Sequence, residues 1–304
     1  MKHGLRQGLP DRQHGFSLLE LLIATTIGLV VTLGAIAVFS NSTSARQTTQ
    51  AQSLMNEDAQ AALSLLSREI KMAGYKDPAS TSSSLGLRGC SGLFQFDANS
   101  VNDDKLKCET GGTSQPHSLV VSYEADVWNT VKSKSKSLPT DCIGTGLENQ
   151  TPARNRYYID ISPSSGTPNL FCQGNGGSGS APPQPMVDNI EDLKFSFGTA
   201  TMPAPAASAA SDPKPLAGYL SATEVEKLAS SQPKSDIASV WNQVRTVQIC
   251  IVVRSEATNL VADNASSIYT KCDGTQDASQ TDRRLRRAYT TTVALRNRLN
   301  WPAL

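Results

Sequence analysis

The segment from Phe16 to Phe39 constrains this chain most, because its 24 residues are almost entirely apolar. Glu20 is the only ionisable side chain within it. A helix of that length rises roughly 36 Å at about 1.5 Å per residue, enough to cross a bilayer core of about 30 Å. A carboxylate in that hydrocarbon costs several kcal/mol unless a cationic group neutralises it. The segment therefore predicts a membrane-spanning helix in which Glu20 needs a partner.

Other interpretations of the same segment are a capping box, a secretory signal and a plain anchor. Ser17 and Glu20 have the spacing of a capping box, which would satisfy the first-turn amides and is compatible with a second role for Glu20. A secretory signal has a shorter apolar region, about 7–15 residues, and a small-residue cleavage site. A plain single-pass anchor needs neither Gly15 before Phe16 nor an acid four residues later.

The decamer Gly15 to Ala24, GFSLLELLIA, follows a short basic leader. In this context it resembles the class III signal of type IV pilins and type II secretion pseudopilins. The resemblance implies that a prepilin peptidase cuts between Gly15 and Phe16 and that Phe16 becomes an N-methylated first residue. It also implies that Glu20 pairs with the N-terminal amine of a neighbouring subunit and sets the register of assembly.

The charge distribution predicts the orientation of the chain. The leader carries Lys2, Arg6 and Arg12, and no further basic residue occurs until Arg46. By the positive-inside rule the leader is cytoplasmic and the bulk of the chain is periplasmic, with the pilus or cell surface as its later location. The formal net charge of +1 gives no general case for a nucleic-acid partner.

Six cysteines all follow the apolar segment, and an even number in an exported domain indicates disulfides. Fifteen connectivities are possible, with buried free thiols as the alternative. We favour the sequential pairs because each closes a short loop rich in glycine or polar residues. These pairs are Cys90–Cys108, Cys142–Cys172 and Cys250–Cys272.

Residues 45–73 continue the helix with an amphipathic pattern. Apolar side chains recur there at steps of three and four, so they share one face. They are Met55, Ala59, Ala62, Leu66, Ile70 and Ala73. Gly74 and the following Asp77-Pro78 give an end signal. We expect this face to lie against a globular domain.

Beyond a polar connector at residues 76–90, the period changes to that of β-strands. Strands are predicted at Leu93–Phe96, Ser118–Tyr123, Arg156–Ile161, Leu193–Phe197, Val244–Arg254 and Tyr289–Arg296. Two stretches rich in Gly, Pro, Ala and Ser, Gly174–Pro185 and Met202–Leu216, predict mobile surface loops. The sequence thus divides into a leader at 1–15, a helix at 16–75, and a disulfide-containing β-rich domain at 76–304.

Four blocks add a closer resemblance. Ala59–Tyr75, Met186–Gly198, Trp241–Val253 and Arg283–Leu299, in that order, resemble the PilW family of minor pilins. The resemblance implies an α+β type IV pilin fold, in which a long N-terminal helix packs on a C-terminal antiparallel sheet. It implies as partners a prepilin peptidase, other minor pilins and the major pilin, the inner-membrane assembly platform and membrane lipid.

The chain lacks the residues of the common catalytic and metal sites. His117 is the only histidine beyond the leader, and no Cys-x-x-Cys motif occurs. The Gly174–Gly179 stretch matches G-x-G-x-x-G, but a proline-rich segment follows where a helix would have to begin. An oxygen-rich cluster lacks the turn glycine of a calcium loop: Asp97, Asn99, Asn102, Asp103 and Asp104. We predict no cofactor, no metal and no enzymatic activity.

The basic run Arg283–Arg287 admits two interpretations. It could contact phosphates or an acidic surface, or its charge could protect an edge strand. We favour the second, because the run leads directly into the last predicted strand.

The sequence therefore predicts a minor type IV pilin that acts in the initiation of pilus assembly or in the tip complex, and hence in twitching motility. The alternatives are a minor pseudopilin of a type II secretion system and a tip adhesin or DNA-binding subunit that uses the basic run or the Cys-bounded loops.

Overall fold

The computed structural model describes residues 15, 17–77, 86–95, 106–109, 115–134, 136–148, 151–177, 182–199, 218–231, 237–261 and 268–298. The chain forms two compact units, residues 1–50 and residues 51–304. The first unit contains the beginning of helix α1 (Leu18–Met72), and the second contains the rest of this helix together with every described strand.

The second half of α1 buries the predicted apolar face. Met55, Ala59, Ala62, Leu66 and Ile70 are all buried in the main core of the second unit. The helix ends as expected, since Gly74 has a φ of 72° and its N–H leaves the helix to donate to the carbonyl oxygen of Ser122 at 2.9 Å.

Two antiparallel sheets form most of the second unit. The first sheet has the order β1-β4-β5-β6-β7 and the second has the order β13-β10-β8-β9. The strands of the first sheet are β1 (Leu87–Cys90), β4 (Ser118–Tyr123), β5 (Ala153–Ile161), β6 (Pro168–Gln173) and β7 (Gln184–Val187). Those of the second are β8 (Ile190–Thr199), β9 (Gly218–Leu220), β10 (Val244–Arg254) and β13 (Arg286–Ala294).

The remaining elements are short. Two ribbons pair β2 (Leu93–Gln95) with β3 (Lys107–Glu109) and β11 (Tyr269–Thr270) with β12 (Gln276–Asp277). Helices α2 (Ala222–Ser231) and α3 (Ile237–Trp241) precede β10. The α+β class, with a long N-terminal helix and antiparallel sheets, is confirmed.

The alternating segments are the ones that were located best. Ser118–Tyr123 and Val244–Arg254 have the predicted bounds, and β10 buries Val247, Ile249, Ile251 and Val253 in the core. The prediction for the last strand was displaced, because β13 begins at Arg286, inside the basic run, and ends at Ala294.

Two loop predictions need correction. The connector at residues 76–90 ends in a buried strand, β1, rather than in polar loop. Gly174 and Gly176 are buried and Gln184–Val187 forms β7, so the described part of Gly174–Pro185 is not simply a surface loop. The stretch 202–216 and the acidic cluster at 97–104 lie outside the described residues.

Candidate functional site

Helix α1 begins two residues after the predicted cleavage point. Gly15 is exposed and has nothing within 4 Å of its would-be Cβ, whereas Phe16 lies outside the described residues. Ser17 caps the first turn: its Oγ accepts from the N–H of Leu19 at 3.2 Å, and its carbonyl oxygen accepts from Leu21 at 3.1 Å. The cap fixes Glu20 in the first turn of the helix.

Only half of the predicted capping box is formed. Ser17 accepts the hydrogen bonds described above, but among the described residues no donor reaches the carboxylate of Glu20. The Glu20 side chain is exposed, which leaves it available to a group outside this chain.

The threonine hydroxyls of the apolar segment form hydrogen bonds within their own helix. The hydroxyls of Thr25, Thr26 and Thr32 donate to backbone carbonyls three or four residues earlier, at 2.9–3.0 Å. This intrahelical bonding lets a threonine enter hydrocarbon at a low cost. Glu20 is therefore the polar side chain of this segment for which the described structure supplies no partner.

The first unit exposes its apolar side chains on all sides of the helix. Leu18 is 82% exposed, Val30 68% and Phe39 73%. Within the described residues, α1 is the one helix long and apolar enough to cross a membrane. A helix that is apolar on all sides is stable only in lipid or inside a protein assembly, so this surface must be buried in one of the two.

Two family models match this chain, one near its N-terminus and one over much of its second half. A model of the prokaryotic N-terminal methylation motif matches residues 10–36, which contain Gly15, Phe16 and Glu20. A model described as Type IV Pilus-assembly protein W matches residues 156–297. The chain belongs to the PilW family of type IV minor pilins.

Among solved structures, this PilW-family pilin matches a type IV-like pilin from Thermus thermophilus. The match has 11% sequence identity and a TM-score of 0.37, and it covers 81% of this chain and 97% of the other. The family assignment rests on the two sequence models. No curated protein matches the chain.

The globular unit of the pilin contains three disulfides. They join Cys90 to Cys108, Cys142 to Cys172, and Cys250 to Cys272, which are the sequential pairs. Cys90 and Cys108 bring β1 and β3 together, and Cys142 attaches a long loop to β6.

A buried carboxylate attaches α1 to the first sheet of the pilin. The Oε2 atom of Glu69 accepts from the Asn155 amide at 2.8 Å, and the same amide lies 3.1 Å from the Tyr123 hydroxyl. Burial raises the pKa of Glu69, while the hydrogen bond from Asn155 lowers it by a smaller amount. Glu69 was not among the residues predicted from the sequence, although its position three residues after Leu66 places it on the apolar face of the helix.

The glycine motif is part of a loop clamp. The Asp141 carboxylate accepts from the N–H groups of Ile143 and Thr145 through Oδ1 and from Gly176 through Oδ2, at 2.8–3.1 Å. A Cβ on Gly174 would lie 2.1 Å from Oδ2 of Asp141, so the close approach requires glycine. The Asp141 carboxylate therefore joins two loops, and the glycines allow its close approach.

His117 has a structural environment. Its ring Nδ1 accepts from the backbone N–H of Phe195 at 3.0 Å, and the backbone N–H of His117 donates to the Leu193 carbonyl oxygen at 2.7 Å. Burial first, and the charge of Lys194 second, lower the pKa of His117 to about 4. The ring is therefore neutral near pH 7, and the two hydrogen bonds of His117 hold the start of β4 beside β8.

Most of the basic run is engaged within the chain. Arg286 has a side chain only 1% exposed and forms ion pairs with Glu191 at 2.6 Å and Asp282 at 2.7 Å. Arg283 donates to the Val261 carbonyl oxygen, and Arg284 donates to that of Ser255. Arg287 is the exposed member of the run. Three of the four arginines of the run are therefore engaged within the chain, and β13 begins inside the run rather than after it.

Proposed function

We propose that this chain is a minor pilin that is cleaved between Gly15 and Phe16, methylated at Phe16, and assembled with other pilins to start a pilus or to form its tip. Its role would be structural rather than catalytic. Before assembly, its helix would hold it in the inner membrane, with the leader cytoplasmic and the globular unit periplasmic.

The unpartnered carboxylate of Glu20 is the observation that carries this proposal. Glu20 lies in the first turn of the helix, and the hydroxyls of the threonines that follow it are bonded to the backbone of their own helix. The carboxylate is therefore free to pair with a cationic group of an adjacent helix. The amine of a processed Phe16 in the next subunit would supply that cation. Apolar packing would hold the helices together, and the charge pair would set their register.

The partners proposed are those that this route requires: a prepilin peptidase, other minor pilins, the major pilin, the assembly platform and membrane lipid. The match over residues 156–297 favours a pilus over the secretion machine of a minor pseudopilin. Internal use of Arg283, Arg284 and Arg286 weighs against a DNA-binding role for the basic run.

Mass spectrometry of the N-terminal peptide tests the processing step. In membrane and sheared-surface fractions we expect a chain that begins at methylated Phe16 only when the prepilin peptidase is present. An intact Met1, or a cut after the apolar segment, would contradict the proposal. Deletion of the protein should abolish surface pili and twitching and leave exoprotein secretion intact.

The register role of Glu20 predicts a specific assembly defect. The Glu20→Val variant should be processed and inserted normally, since the substitution makes the segment more apolar. Its amount in the sheared-pilus fraction should nevertheless fall at least tenfold. Thr25→Val is the matched control, because it removes a polar group already bonded within the helix. Equal recovery of both variants, measured by immunoblot of sheared pili, would argue against the register role.

A further inference from the structure

Strand β13 forms an edge of the four-stranded sheet. Its nine residues pair with β10 from Arg286 opposite Arg254 to Ala294 opposite Thr246, without a register shift. The other sheet edges in the described structure have only three or four residues, in β1, β7 and β9. The β13 edge is therefore the longest that these two sheets present.

The hydrogen-bond pattern identifies the backbone groups that point outward. Leu295 donates to the Arg245 carbonyl oxygen and Ser255 donates to that of Leu285, both at 2.8 Å, so these two pairs are hydrogen-bonded pairs. In an antiparallel ladder such pairs alternate with non-bonded ones. The N–H and C=O groups of Ala288, Thr290, Thr292 and Ala294 consequently point away from β10. No described residue bonds to them.

The usual protections of an edge strand are missing along this one. Residues 288–294 contain no charge and no proline, and the ladder to β10 has no bulge. Thr290, Thr292 and Ala294 are exposed. The nearby Arg286 is directed into its ion pairs with Glu191 and Asp282. Strand β11 lies near β13, but no described strand pairs with its outer edge. An edge of this length without a paired strand is a template for another one.

We propose that the outer edge of β13 receives an extended segment of a different protein chain as an added strand. Exposed arginines lie at both ends of the edge, Arg287 at its start and Arg296 just beyond it. The segment that fits has an uncharged, β-branched centre and acidic residues at its ends. A second copy of β13 fits poorly, because antiparallel pairing of two copies brings Arg287 of one towards Arg296 of the other.

In a pilus the added strand would come from a neighbouring subunit, and this last point rests on the proposed function. Peptide binding to the full chain needs neither processing nor pili. Loss of the edge interaction can therefore be told apart from failure of the assembly role.

The probe is a nine-residue peptide of alternating Thr and Val with two Glu at each end, and its counterpart with Lys in place of Glu. Hydrogen exchange of the full chain in detergent micelles is measured with each peptide. We expect the Glu peptide to slow exchange at Thr290 and Thr292 at least tenfold, and the Lys peptide to bind about tenfold more weakly at low salt. No protection by the Glu peptide, or equal binding of both peptides, overturns the proposal.

Two variants and a matched control locate the binding to this edge. Thr292→Pro removes an outward N–H without touching the ladder to β10, and Thr292→Lys places a charge on the edge strand; both should abolish protection. Gln248→Lys places the same charge opposite Thr292 on the inner strand β10 and should still bind. If Gln248→Lys loses binding as fully as Thr292→Lys while all three variants remain folded, the edge is not the site.

Discussion

Glu69 is a carboxylate whose environment opposes its charge. Only 5% of the residue is exposed, and burial raises its pKa above the ordinary value of 4.5. Below pH 4.5 the group is protonated in both the folded and the unfolded chain. As the pH rises through 4.5 and then through the folded-state pKa, the unfolded chain ionises first and the fold loses stability. At neutral pH the ionised form of Glu69 therefore stabilises the fold less than its protonated form would.

Glu69→Gln should thus be more stable than the parent at pH 7.5. The gain is about 1.4 kcal/mol for each unit by which the pKa is raised, and it should vanish below about pH 4. The glutamine oxygen can still accept from Asn155. Urea unfolding at both pH values checks this, with Glu57→Gln on the exposed helix face as control. A variant less stable than the parent at pH 7.5 would show that the carboxylate itself is needed.

At the scale of elements, a charge cluster joins β8, β13 and the loop before β13. Arg286 on β13 binds Glu191 on β8 and Asp282 in the loop. The hydrogen bond from Arg286, opposed by a smaller effect of burial, lowers the pKa of Asp282 to about 2. Two carboxylates around one buried guanidinium form a unit that fails if its centre is removed.

Arg286→Ala should cost about 3 kcal/mol, because it leaves both acids without their buried partner. Arg287→Ala, the adjacent exposed residue, should cost less than about 1 kcal/mol, since it loses only the contact with the Tyr289 ring. Comparison of urea midpoints separates the two variants. If both variants lost a similar amount of stability, the ion pairs of Arg286 would contribute little to the free energy of unfolding.

The elements that the sequence predicted well are those with a clean period. The helical stripe ending at Ala73 and the alternation of β10 each follow from one buried face. The predicted bounds of β13 were displaced because Arg286 has the character of a surface residue in the sequence. Its counter-charge, Glu191, lies 95 positions away. Strand β1 was missed because four buried residues in a row, Leu87–Cys90, show no alternation.

Local sequence also could not identify the role of the glycine-rich turn. Gly174 and Gly176 look like flexible linker, and only the approach of Asp141, some 35 positions earlier, makes them structural. At the N-terminus the opposite holds. The decamer from Gly15 to Ala24 is a contiguous signal, so its assignment needed no three-dimensional information.

At the scale of the whole molecule, the disulfides stabilise the globular unit. Cys142 and Cys172 are separated by 30 residues, and closing a loop of that length is worth about 3–4 kcal/mol through the unfolded state. Replacing both by Ala should lower the stability by that amount, measured as the urea midpoint from the fluorescence of buried Trp241. A change below about 1 kcal/mol would indicate residual loop structure in the unfolded chain.

The three bridges also have consequences for how the domain matures. The six cysteines are bonded as three consecutive pairs, so no bridge crosses or encloses another. On the proposed route, the domain would be translocated from its N-terminal side, and its thiols would be exposed in numerical order. An oxidase that joins each new thiol to the one released before it makes the native pairs directly. Interlaced bridges would instead require thiol–disulfide exchange after release, which takes seconds to hours. We therefore expect maturation of this domain to depend on an oxidase and not on a disulfide isomerase.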